Sequence, residues 1–176
     1  MRRPAILRHG VRGARGLLAL LAVAGSAAGC EERKGEVAGI GTWRFTTTTL
    51  EQAQAMSVGV CQPTALSDGR QATWCFNLPP YKVGNRVGEV NVYFDGTAPT
   101  SKLIEIQLTV RGCVEQELET WMRQMFGPPL EMKATRGYWK NSFLWAAALM
   151  PSEPGRCLVH VLPLSENAEI ERIKQK

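Results

Sequence analysis

The chain is poor in the residues that catalysis and metal binding use most. Its 176 residues include two histidines, His9 and His160, and aspartate occurs only at Asp68 and Asp95. No Cys-x-x-Cys pair is present, so the usual zinc-ligand spacing is missing and no metal or cofactor is expected. Gly84, Gly88 and Gly96 do not form a phosphate-cradling loop. His160 can be grouped on paper with Ser142 or Ser165, but no nucleophile-elbow motif accompanies it. It alternates with apolar residues in an expected strand, the setting of a histidine that faces solvent or a hydrogen-bond partner. An enzyme is therefore not expected. The excess of positive charge is also confined. The formal net charge is +5, but Arg2, Arg3, Arg8, Arg12 and Arg15 precede residue 30 with no acid among them. Removing those five from the 21 Lys and Arg leaves 16, equal to the 16 Asp and Glu. The basic footprint of a nucleic-acid partner is thus absent, and so is a polybasic grip on anionic lipid.

What is present begins at the N-terminus. The five arginines are followed by Leu17–Ala28, an unbroken run of apolar and small residues, and then by Ala27-Ala28-Gly29-Cys30. Charged, apolar and small-residue segments in that order read as a secretory signal over 1–29. The run is too short for a bilayer core, which needs roughly twenty residues. The small residues directly before Cys30 make the segment resemble a bacterial lipoprotein signal, with Ala27 where Leu is usual. That resemblance implies a diacylglyceryl group on Cys30, which becomes the acylated N-terminus and anchors the chain to membrane. More than one acyl chain makes such an anchor stable. Glu31 after the cysteine resembles the enteric pattern for the outer membrane, facing the periplasm.

Four further cysteines, Cys61, Cys75, Cys113 and Cys157, read as two disulfides in an exported chain. Three connectivities exist. Cys61–Cys75 with Cys113–Cys157 is favoured because each pair stays within one half of the chain.

Residues 30–41 read as a flexible tether and 42–163 as one folded domain. Trp43 and Phe45 alternate with polar neighbours as in a strand. Thr48 and Glu51 have capping-box spacing before a short helix over 50–58. Strands are expected near 72–77, with Trp74 and Phe76 on one face, and near 87–95 and 102–111. In the last of these, Ile104, Ile106, Leu108 and Val110 alternate cleanly with polar residues. Val114, Leu118, Trp121, Met122 and Met125 form the apolar stripe of a helix over 114–126, stopped by Gly127-Pro128-Pro129. Strands follow near 134–139, 143–150 and 156–163, the middle one apolar on both faces. Residues 164–176 form a charged tail with the potential for a short helix.

The order suggests an α+β domain of two tandem α-β-β-β units, 42–111 and 112–163, with helices packed on one face of an antiparallel sheet. Together with the Cys30 signal, this order resembles the small lipoprotein of the outer-membrane β-barrel assembly machine. The tandem repeat resembles β-lactamase inhibitor protein. In both groups the fold serves protein binding. The resemblance implies a lipid-anchored, non-catalytic adaptor with an envelope protein partner. Tyr81, Tyr93, Tyr138, Trp139 and Trp145 are the candidate contact residues, because aromatic side chains are enriched at interfaces. The alternative is a lipid or small-ligand carrier, motivated by the two-faced strand 143–150. Membrane-extracted chain is expected to begin at Cys30 and carry acyl mass. Intact-mass spectrometry showing an unmodified Cys30 would remove the anchor.

Overall fold

The computed structural model describes residues 38–56 and 59–175. The leader, Cys30, the tether through residue 37 and the end of the expected first helix at 57–58 lie outside them.

The chain enters through a small hairpin of β1 (Gly39–Ile40) and β2 (Trp43–Arg44). Ile40 is completely buried and Trp43 nearly so, and both belong to the main core. The folded domain therefore takes in residues 38–41, which the sequence reading assigned to the tether. Helix α1 (Leu50–Ala55) follows. Its capping box is formed by Thr49 and Gln52, one residue beyond the expected Thr48 and Glu51. Gln52 N donates to Thr49 Oγ1 at 3.4 Å and Thr49 N to Gln52 Oε1 at 3.0 Å. Thr48 is instead buried, its hydroxyl accepting from Arg44 N at 2.9 Å. In a run of four threonines, spacing alone does not say which one caps.

Next come β3 (Val60–Ala65), β4 (Gln71–Phe76), β5 (Tyr81–Val83), β6 (Arg86–Asp95) and β7 (Leu103–Arg111). Helix α2 (Glu115–Phe126) precedes β8 (Glu131–Lys133), β9 (Arg136–Lys140), β10 (Leu144–Glu153) and β11 (Arg156–Pro163). A 3-10 turn at Leu164–Glu166 leads into α3 (Asn167–Gln175). Every strand pair is antiparallel, as short connections permit.

The nine-stranded sheet runs β3-β4-β6-β7-β11-β10-β9-β8, with β5 added alongside β6. The order reads as two mirrored halves that meet where β7 pairs with β11. Each half contains an edge strand the sequence reading missed, β3 in one and β8 in the other. Both are short and largely exposed, so neither shows the alternation of a half-buried strand. Pro63 is tolerated in β3 because an edge strand has one side that need not donate.

Alternation along the inner strands divides the sheet into two faces. On the front, Val92, Phe94, Ile106, Leu108, Val159 and Val161 pack with Leu50 of α1 and with Leu118, Trp121 and Met122 of α2. On the back, α3 buries Ile170 and Ile173 against Tyr138, Trp145, Ala147 and Leu162. Each isoleucine side chain contributes roughly 1.5–3 kcal/mol by leaving water. The helices therefore lie on both faces, and the expected charged tail is an integral part of the domain. This accounts for the two-faced apolar strand: Ala146 and Ala148 face the front core, while Trp145 and Ala147 face α3.

Both disulfides join the favoured partners. Cys61 and Cys75 sit directly opposite on β3 and β4, and Cys113 before α2 is tied to Cys157 of β11. The sequence separations are 14 and 44. The chain-entropy model gives losses of about 3 and about 4 kcal/mol for the two loops. Urea unfolding is expected to show the double Cys113→Ala, Cys157→Ala variant less stable than the double Cys61→Ala, Cys75→Ala variant. The reverse order would refute this account.

Candidate functional site

The back of the sheet is unequal across its two halves. Over β9, β10 and β11 it is covered by α3. Over β4 and β6 it is open and carries Trp74, Phe76 and Tyr93, each half-buried. Their direction follows from their neighbours. Thr73 and Cys75 point into the front of β4, so Trp74 and Phe76 must point to the back. Trp74 lies 4.4 Å from Phe76 between ring centroids and stacks near-parallel to Tyr93 at 6.4 Å. Trp74 Nε1 donates to Asn91 Oδ1 at 3.2 Å, which fixes the indole orientation. Beside this cluster, Trp74, Phe76, Pro80, Glu89 and Asn91 line an open groove of about 490 Å³.

Of the five aromatics proposed as contact residues, three are buried. Trp139 faces the front core and is completely covered. Tyr138 and Trp145 lie beneath α3, with the Lys174 ammonium over both rings and that of Lys140 over Trp145. Their side chains are part of the packing and present no contact surface. Tyr81 is half-buried and packs edge-on against Trp121 of α2, away from the open face. Tyr93 alone of the five stands on that face. The sequence places Trp74 and Phe76 on one strand face without marking them as contact residues. The signal available was Cys75 between them: once its side chain is committed inward, theirs must point the other way.

At the end of the open face, where the β3–β4 turn meets α3, lies a polar pocket of about 160 Å³. Its floor comes from the central strands. Tyr93 is opposite Glu105 across β6 and β7, and Gln107 is opposite His160 across β7 and β11. Glu105 Oε1 is 2.6 Å from His160 Nδ1 and accepts from Gln107 Nε2 at 3.0 Å. The Glu105 side chain is 9 % exposed and that of His160 12 %. A carboxylate so covered needs such partners, since leaving it bare would cost several kcal/mol. Among the described residues, His160 is thus a satisfied strand histidine.

The rim is ionic. Arg70 in the β3–β4 turn donates from Nη1 and Nη2 to both carboxylate oxygens of Glu166, at 3.2 and 2.6 Å, and from Nε to Asp68 at 2.7 Å. Ser67 Oγ donates to Glu169, which also holds Arg172. These bonds tie the turn to the 3-10 turn and α3. The Glu166 and Asp68 carboxylates raise the Arg70 pKa, and the Arg70 backbone N–H and guanidinium hold Asp68 below its ordinary value. Burial, and secondarily the Glu105 charge, push the Tyr93 phenol up to about 12.

The chain matches no family model, no curated protein and no solved structure.

The Tyr93 shift has a defined sign. The folded pKa lies above the ordinary value of 10.0, so the neutral phenol favours the folded state. That contribution is full below pH 10 and is lost as pH rises through about 12. Tyr93→Phe is expected to remove this alkaline loss and the phenolate absorbance step near pH 12. An unchanged absorbance titration would show that Tyr93 is not held in this setting.

Proposed function

We propose that this protein is a lipid-anchored envelope lipoprotein, held by acylated Cys30 at the periplasmic face of the outer membrane, that acts as a non-catalytic adaptor for a protein partner. The observation that carries the binding part is the asymmetry of the back face. The second half of the sheet is sealed by α3, whereas the first half leaves Trp74, Phe76 and Tyr93 accessible beside a groove. Clustered, oriented aromatic rings on a rigid strand surface supply large contact area with little side-chain entropy to lose. The fitting partner is a polypeptide that presents apolar side chains to the groove and hydrogen bonds to its flanking amides. The carrier alternative loses the feature that motivated it, since both faces of β10 are filled by helix packing.

The test is photo-crosslinking in cells from positions 74 and 76, beside affinity capture of a Trp74→Ala, Phe76→Ala double variant. Loss of aromatic anchors typically costs 2 kcal/mol or more, about thirtyfold in affinity. Partner recovery should fall to that extent while the folded content of the variant is unchanged. In vitro affinity should be insensitive to Cys30→Ala, whereas recovery from membranes should depend on it. Equal recovery with and without the two rings would overturn the reading.

A further inference from the structure

We infer that the pocket between the β3–β4 turn and α3 binds an alkylammonium group, with Glu105 as its charge partner. The site adjoins the open aromatic face, with which it shares Tyr93, and stands on its own geometry.

The first argument is the state of Glu105. Its residue is 6 % exposed, and it lines the pocket. Both hydrogen bonds to it, from His160 and Gln107, fall on Oε1. No described residue donates to Oε2. Oε1 is saturated, whereas Oε2 is not sealed from solvent and is left to accept from a donor that enters the cavity.

The second argument is charge. The charged residues that line the pocket are Arg70 and Arg172 with Glu166 and Glu169 at the rim and Glu105 on the floor. Two cations face three anions, and both guanidiniums are already engaged by carboxylates. An anionic ligand would find no free guanidinium and would meet the Glu105 charge. A cationic ligand is complementary to the field, and its attraction is strengthened by the low local dielectric.

The third argument is shape. Leu66, Ile104 and Leu162 supply an apolar wall and Tyr93 an aromatic one. A volume of about 160 Å³ is close to that of a cavity that accepts a benzene-sized molecule, roughly 150 Å³. It accommodates a short alkyl chain, whose ammonium can donate to Oε2 while its methylenes lie on the apolar wall and the Tyr93 face. That chemistry is shared by a free alkyl diamine and by a lysine side chain of another polypeptide.

The test is calorimetric titration of the purified full-length chain with diaminopentane and, separately, with Nα-acetyl-lysine methylamide. Pentanediol serves as the uncharged control. Saturable binding of either amine, with none for the diol, supports the site. Binding of diaminopentane alone identifies the free amine as the source, and binding of the lysine derivative alone identifies a polypeptide. Glu105→Gln keeps the shape and an acceptor for His160 but removes the charge, and should weaken binding at least about tenfold. Should that variant prove unstable, Leu66→Trp fills the pocket from its rim and should abolish binding. The inference is overturned if neither amine binds, if the diol binds equally, or if both variants bind like the parent chain.

Discussion

Pairing of β7 with β11 is the constraint from which the remaining architecture follows. Each is the last strand of its half, and their antiparallel register sets Ile106 against Val161 and Gln107 against His160. The pairing turns a five-stranded and a four-stranded half into one sheet with a shared front core. It also brings Glu105 beside His160 although 55 residues separate them. The Cys113–Cys157 disulfide reinforces the same junction by tying the entry of α2 to β11. Neither half could keep its inner strand buried alone, because β7 and β11 would each present an apolar edge to water.

The second organising fact is the departure from symmetry. Both halves place a helix on the front face, but only the second half continues into a helix on the back. That helix is held by two isoleucines below, by a hydrogen bond from Ser67 of the β3–β4 turn to Glu169, and by the Arg70–Glu166 ion pair just before its first residue. The exposed pairs contribute modestly, since surface ion pairs are typically worth less than about 1 kcal/mol. Their effect is geometric: they close the rim of a polar pocket whose floor is made of central-strand residues. The same asymmetry leaves the aromatic surface of β4 and β6 uncovered. A sealed half and an open half on one sheet leave an accessible aromatic face over β4 and β6.

Much of the element order was legible in the residues. Strands β6, β7 and β11 and helix α2 are strongly periodic, and their apolar stripes became the front core. The disulfides followed from keeping each pair within one half. The edge strands β3 and β8 were not legible, because a strand exposed on both sides needs no alternation. The capping residue slipped by one within the threonine run. The contact aromatics were harder still. Tyr138 and Trp145 are covered by α3, which no local pattern reports, and the exposure of Trp74 and Phe76 depends on what does not cover them.

The sequence by itself determined the local periodicity, the helix start and stop signals, the cysteine set and the balanced charge from residue 30 onward. These are properties of neighbouring residues, and period-two and period-3.6 patterns report them directly. Only the tertiary structure decided which face α3 seals, which aromatics remain accessible, and that Tyr93, Glu105 and Gln107 line one pocket with His160 bonded to Glu105. Those facts depend on strand order and register between segments far apart in the chain. A one-residue slip in the β7–β11 pairing would disperse the cluster without altering a single local pattern.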